Sequence, residues 1–271
     1  MKSNFAQRTV TGALYVSTVT ICTYFSSLSF FALIFMVNIL CLWEFYELIL
    51  PDKSKIEKSL GIIAGGLIYL MFASIFIGNL SLSWYFYLIP VFLLLFIIKL
   101  FENTHQEFVT LAYQLMGITY ITIPLVMLSK LGFFNMLVYS HGLPMGFFVL
   151  LWTSDTGAYL AGRSMGKNKL FERVSPKKTW EGSIGGLMLT LLVAYGLSYL
   201  FDEVSLGDWL VIALLIVVFG TFGDLFESLM KRNLHIKDSG KILPGHGGVL
   251  DRFDGLFLAA PAVFFYLLLT N

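Results

Sequence analysis

Apolar runs of membrane-spanning length recur along this chain from Val10 to Thr270, and no other feature limits its fold so strongly. A helical span needs about 20 mostly apolar residues. In lipid every backbone N–H and C=O must be satisfied within the protein, so only helices and closed barrels cross a bilayer. Runs of this length predict helices. Nine spans are expected, at about 10–26, 28–50, 60–78, 84–101, 111–131, 143–163, 183–201, 208–230 and 255–270. The expected fold is an all-α, polytopic integral membrane protein.

Composition agrees. Of the 271 residues 57% are hydrophobic and 13% charged, against about 25% charged in a soluble domain, and mean hydropathy is +0.80. The N-terminus, MKSNFAQR, resembles the start of a secretion signal. No small-x-small cleavage site follows it, so the first span is read as a retained transmembrane helix. Only Ser26 and Ser27 separate the first two spans, which predicts a tight helical hairpin. Cys22 and Cys41 lie in apolar runs without His or Cys neighbours and read as apolar fillers.

Nine spans put the termini on opposite sides, and the charges test that count. One side takes the N-terminus and the connections near 51–59, 102–110, 164–182 and 231–254. It then holds every Lys and Arg except Lys130, which shares the other side with Asp202, Glu203 and Asp208. Basic residues mark the cytoplasmic face. The N-terminus and the polar connections are therefore expected in the cytoplasm, which in a bacterium places the chain in the inner membrane.

Chemistry divides the chain as well. Residues 1–142 form about five spans with few polar groups, expected to serve as scaffold, lipid cavity and dimer contact. Glu44 and Glu47 are exceptions; they share a helical face and either sit solvated at the interface or line an active cavity. Gly61 and Gly65 form a small-xxx-small pair that permits close helix packing. Residues 143–271 form about four spans and hold three polar blocks, where the catalytic site is expected.

The first block is Asp155, Tyr159 and Arg163, spaced i, i+4, i+8 on one face of the sixth span. An acid there should line a polar cavity or pair with Arg163. The second runs from Gly166 to Gly182 and contains Ser175, Lys177, Lys178, Thr179 and Glu181. Lysines beside a helix N-terminus suit a ligand phosphate, although a basic juxtamembrane run also suits anionic lipid surfaces.

The third block, Asp224 to Asp254, concentrates Asp224, Glu227, Asp238, Asp251 and Asp254 with Lys231, Arg232, Lys237, Lys241 and Arg252, and sets His246 among glycines. Asp224, Glu227, Ser228 and Lys231 form one helical stripe. Clustered carboxylates suit a hard divalent cation such as Mg²⁺, and the glycines of Pro244-Gly245-His246-Gly247-Gly248 allow backbone close to a ligand. A structural salt-bridge network is the other reading of these charges. The residues together imply a polyanionic, phosphate-bearing substrate that is lipid-soluble at one end.

Ser228-Leu-Met-Lys231-Arg232, Lys237-Asp238, Gly240, Leu243-Pro244-Gly245-His246-Gly247-Gly248 and Asp251-Arg252-Phe253-Asp254 resemble the signature of the phosphatidate cytidylyltransferase (CDP-diacylglycerol synthase) family. The blocks at Asp155–Arg163 and Ser175–Gly182 resemble that family's upstream elements, in the same order. The resemblance implies transfer of CMP from CTP to phosphatidate, giving CDP-diacylglycerol and pyrophosphate. It implies Mg²⁺, one ion or two, at Asp224 and Asp251 with Asp254 or Glu227. Lys231, Arg232, Lys237 and His246 are then expected around the nucleotide phosphates. Asp155, Tyr159, Arg163, Ser175, Lys177, Lys178, Thr179, Glu181, Ser228, Asp238, Gly247, Gly248 and Arg252 are expected to contact substrate. CTP, phosphatidate, the bilayer and a second copy of the chain are the implied partners, and nucleic acid is not one. Two other readings remain: a CTP-dependent transferase or kinase for another membrane lipid, and an ion-coupled transporter using the intramembrane acids.

Overall fold

The computed structural model describes the chain except for residues 1, 52, 79–81, 102–105, 135–137, 241, 243–244, 246 and 271, and the side chains of 2–6, 8, 78, 82, 84 and 85. It divides into two compact units. Met1–Phe133 and Asp238–Asp251 form the first; Phe134–Lys237 and Arg252–Asn271 form the second.

Among the described residues the helices fall at the nine expected places. The first unit contains α1 (Lys2–Phe25), α2 (Ser27–Ile49), α3 (Lys55–Gly78), a 3₁₀ segment (Leu82–Tyr87) leading into α4 (Leu88–Phe101), α5 (Glu107–Gly117) and α6 (Ile123–Leu131). A π-helical stretch, Ile118–Thr122, joins α5 to α6, so the fifth span is one helix with a wide turn inside it. The second unit contains α7 (Gly142–Met165), α8 (Trp180–Leu197) and α9 (Leu206–Asn233), and α10 (Leu250–Thr270) lies mostly within it. Among the described residues six helical segments are long and apolar enough to cross a membrane: α2, α3, the joined α5–α6, α8, α9 and α10. This is an all-α polytopic membrane protein.

Local chemistry explains the breaks. Ser26 alone interrupts α1 and α2, its side chain accepting from the Ser29 N–H while Ser29 accepts from the Ser26 N–H. This reciprocal cap satisfies two donors that a helix start otherwise leaves open. Ser205 and Asp208 repeat it at the start of α9. The C-terminus of α9 closes with the Ile236 N–H on the Lys231 carbonyl and His235 at φ +56°. Glycine usually fills that left-handed position.

Hydrogen bonds between helices hold the first unit, as expected where lipid offers helices no hydrophobic drive to associate. Tyr46 donates to the Gln114 carbonyl at 2.8 Å, and Gln114 donates to the Glu57 carbonyl at 2.7 Å. Thr122 donates to Asn38 at 2.8 Å, and Tyr69 shares a 2.8 Å hydrogen bond with Ser129. A Cβ at Gly61 would strike the Tyr46 ring at 2.7 Å, and one at Gly65 would meet the Thr122 hydroxyl at 2.8 Å. The small pair is therefore used within the chain.

In the second unit α7 and α8 touch through glycine. A Cβ at Gly157 would lie 3.0 Å from the Gly186 Cα, and one at Gly182 would lie 3.2 Å from the Gly162 Cα. Between these helices stands a feature absent from the expected all-helical pattern, a hairpin of β1 (Lys169–Phe171) and β2 (Ser175–Thr179). Its strands are short, three of their eight residues are lysines, and they lack the apolar alternation that marks a strand in sequence.

Candidate active site

The polar residues of the second unit converge because two glycine contacts bring their helices together. Beside the α7–α8 contact, Gly223 on α9 faces Gly255 on α10, where a Cβ at Gly223 would lie 3.0 Å from the Gly255 Cα. Asp224 follows the first glycine and Asp254 precedes the second. The paired dipeptides Gly-Asp and Asp-Gly were the sequence signal for this crossing, and spacing within one helix could not reveal it.

Four acids meet here. Asp155, exposed on α7, lies within electrostatic reach of Lys178, Asp224 and Arg252. Asp254 lies within electrostatic reach of Asp224, Glu227 and Asp155 and accepts from the Gly255 N–H at 2.7 Å. Asp224 accepts from Ser228 at 3.1 Å, and Lys178 on β2 stands 2.6 Å from its other oxygen. Glu227 is fully buried and sits 3.3 Å from the ammonium of buried Lys231. The stripe Asp224–Glu227–Ser228–Lys231 therefore forms as its spacing predicts, and its charges are compensated from β2 and from within α9.

The other residues of the second unit divide by what they touch. Arg163 donates to Tyr159 at 3.3 Å rather than to Asp155. Thr179 caps α8 by accepting from the Gly182 N–H at 3.2 Å, and the Trp180 N–H goes to the Asn168 carbonyl. Glu181 accepts from the N–H groups of Lys167 and Asn168 and, at 2.7 Å, from the Asn168 side chain. The start of α8 thus supplies acceptors to its own donors and fastens the entrance of the hairpin. Ser175 opens β2, and Lys177 is exposed. Arg232 is exposed and donates to the Ile236 carbonyl at 3.2 Å; Lys237 and Arg252 are exposed.

In the first unit, Asp251 gathers the segment before it. One oxygen accepts from the Ser239 N–H at 2.9 Å and the Gly248 N–H at 2.8 Å. Gly247 takes φ +86°, a region glycine enters without steric cost, and a Cβ there would lie 2.6 Å from the Asp251 carboxylate. Asp238 is exposed at the segment's start. His246 lies outside the described residues. Glu44 and Glu47 separate in role. Glu47 pairs with Lys58 at 2.8 Å, whereas buried Glu44 accepts from the Leu250 N–H at 2.8 Å and from the Ser239 hydroxyl at 3.4 Å. Sequence reading offered solvation or a cavity wall for Glu44, and neither describes this anchor.

The donor set has the chemistry of a hard-cation site: four carboxylates, three of them repelling one another, with no sulfur and no imidazole among the described groups. Among the described residues no three acidic, His or Cys side chains already converge as a ligand set. Mg²⁺ commonly takes one or two protein carboxylates and completes its shell with water and substrate phosphate, so these residues fit it.

The chain is similar to known proteins. The model of the cytidylyltransferase family matches residues 6–270. Proteins named phosphatidate cytidylyltransferase from Staphylococcus aureus (strain COL) and Staphylococcus haemolyticus (strain JCSC1435) are 48% and 49% identical over 116 residues, 42% of this chain and 44% of theirs. One of the same name from Staphylococcus saprophyticus is 42% identical over 159 residues, 57% of this chain and 58% of its own. The aligned stretches thus span about half the length of these curated relatives. The family match covers nearly the whole chain, and the chain belongs to the cytidylyltransferase family.

Proposed function

We propose that this protein is a phosphatidate cytidylyltransferase, transferring CMP from CTP to phosphatidate to give CDP-diacylglycerol and pyrophosphate. The observation that carries this reading is the meeting of Asp155, Asp224 and Asp254, with Lys178 on Asp224, in a bundle of apolar helices. Charge in that setting is expensive and usually functional. The name shared by the curated relatives supports the two substrates.

A phosphate oxygen of phosphatidate attacks the α-phosphorus of CTP. The bond from that phosphorus to the β-phosphate's bridging oxygen breaks, and its electron pair leaves with pyrophosphate. The nucleophile is already an anion, so the chain need not supply a strong base. The main barrier is repulsion between two polyanions together with the charge gathering on the leaving group, and fixed cations lower it. Mg²⁺, when bound, would neutralise phosphate oxygens and orient them for in-line displacement. Asp224 would hold it with Asp254 or Glu227, and the resemblance adds Asp251.

Lys178 steadies Asp224, and Lys231 orients Glu227. Arg232, Lys237 and His246 are proposed for the nucleotide phosphates. Lys177, Arg163 and Arg252 are proposed for phosphate of CTP or lipid, with Asp155, Tyr159, Ser175, Ser228, Asp238, Gly247 and Gly248 lining the substrates. Thr179 and Glu181 act indirectly, by fixing the hairpin that carries the lysines. The first five spans serve as scaffold and lipid cavity, and the last four carry the chemistry. The positive-inside pattern puts the site and the N-terminus in the cytoplasm. The resemblance implies a homodimer, but Gly61, Gly65, Gly182 and Gly186 are occupied within the chain and do not mark its interface.

Label tracing tests the reaction. With CTP labelled at the α-phosphate and phosphatidate in mixed micelles, the label should enter the lipid phase. Transfer of a γ-phosphate label to lipid instead would make the protein a lipid kinase and overturn the reading.

A further inference from the structure

We infer that Glu44 is a positioning residue for the transfer reaction, holding Ser239, Val249 and Leu250 of the glycine-rich segment from a distant point on α2. This inference rests on the reaction proposed above. Glu44 is 2% exposed and comes from the half of the sequence that carries none of the signature. Its Oε2 accepts from the Leu250 N–H at 2.8 Å and the Ser239 hydroxyl at 3.4 Å, and the Val249 N–H also bonds the carboxylate.

Leu250 opens α10, where the first N–H groups have no partner within the helix. A carboxylate at that end satisfies them and meets the positive pole of the helix dipole. Glu44 thus satisfies the N–H groups of Val249 and Leu250, where the chain enters the helix. The fit also dictates composition. A Cβ at Gly248 would lie 2.5 Å from Glu44 Oε2, and one at Gly240 would collide with Glu44 Oε1. Glu44 lies against both glycines, and at Gly248 the Ser239 hydroxyl stands closer still. Asp251, in the first turn of α10, gathers the Ser239 and Gly248 N–H groups from the other side. The carboxylates of Glu44 and Asp251 thereby hold Ser239, Gly248 and Leu250 together. Glu44 Oε1 is buried without a hydrogen-bond partner, so one acceptor oxygen, placed as Oε2 is, suffices for the task.

The test uses the full chain in detergent micelles, with turnover of CTP and phosphatidate and amide hydrogen exchange read on the same samples. Glu44→Ala should speed exchange in the peptide spanning 247–251 by about tenfold or more, the scale of one lost buried hydrogen bond to a charged group. It should lower kcat by about tenfold or more and leave KM for phosphatidate within about twofold. Exchange across Phe30–Cys41 should not change. Glu44→Gln keeps an acceptor and should stay within about threefold of wild type in both readouts. Glu47→Ala, which breaks only the pair with Lys58, should behave as wild type. Gly248→Ala drives a methyl between the Ser239 hydroxyl and Glu44, breaking their hydrogen bond from the loop side, and should raise exchange in the same peptide, which decides the matter if Glu44→Ala does not fold.

Unchanged exchange at 247–251 in both Glu44→Ala and Gly248→Ala overturns the inference. So does a Glu44→Gln that keeps exchange protection yet loses kcat as Glu44→Ala does, since Glu44 would then act by its charge. A wild type that protects 249–250 but never turns over CTP would sink the proposed reaction, while the exchange data still decide whether Glu44 holds the loop.

Discussion

Gly223 on α9 and Gly255 on α10 stand so close that a Cβ on the first would lie 3.0 Å from the Cα of the second, and it would also strike the Asp254 carbonyl. That contact sets the separation of Asp224 and Asp254. Gly223→Ala should therefore cost about 1–3 kcal/mol through overpacking and lower kcat more than it lowers stability. At Gly255 the nearest atoms to a Cβ are at 3.2 Å or beyond, so Gly255→Ala should be milder in both. Thermal unfolding and turnover measured together on the two variants check the order.

Lys178 and Lys177 are neighbours with different surroundings. Lys178 sits 2.6 Å from Asp224, whereas Lys177 is exposed. Lys178→Ala should lower kcat by roughly 10²-fold, the scale of losing one preorganised electrostatic group. Lys177→Ala should act mainly on KM, by several-fold at most, because an exposed cation contributes binding more than transition-state stabilisation. Steady-state kinetics with CTP and phosphatidate varied separately would show the split.

Removal of divalent cations should abolish turnover, and Mg²⁺ should restore it. Asp254→Asn withdraws one hard oxygen donor beside Asp224 and should raise the Mg²⁺ concentration for half-maximal activity by about tenfold or more. Titration of Mg²⁺ at fixed CTP checks this. An unshifted titration would remove Asp254 from the ion's ligands.

Thr179→Ala should cost about 1 kcal/mol, the usual value of an N-cap, and Thr179→Ser should recover most of it. Thr179 fixes the start of α8 just after Lys178, so activity should fall with stability in the first variant and return in the second. Thermal melts and turnover on the pair decide it.

The positions of the helices were legible because hydrocarbon thickness forces span length, and apolar runs such as 28–50 and 208–230 leave little choice. The stripe Asp224, Glu227, Ser228, Lys231 was legible for the same kind of reason, since one helix sets its spacing. The partners were less so. Lys178 and Asp224 lie in different elements, and only the order of conserved-type motifs hinted that they share a site. The hairpin 169–179 was not legible, because its strands are short and basic and lack apolar alternation. Nor was the role of Glu44, whose partners Ser239 and Leu250 lie 195 and 206 residues away and bond it partly through backbone N–H groups that no side-chain pattern reports.

The most direct test of the central claim is pyrophosphate release by the purified full chain given CTP, Mg²⁺ and phosphatidate, beside Asp224→Asn. The account predicts release that requires phosphatidate and falls by about 10³-fold in the variant, the upper range for one lost electrostatic group. Release that persists without phosphatidate, or that survives in Asp224→Asn, would contradict it.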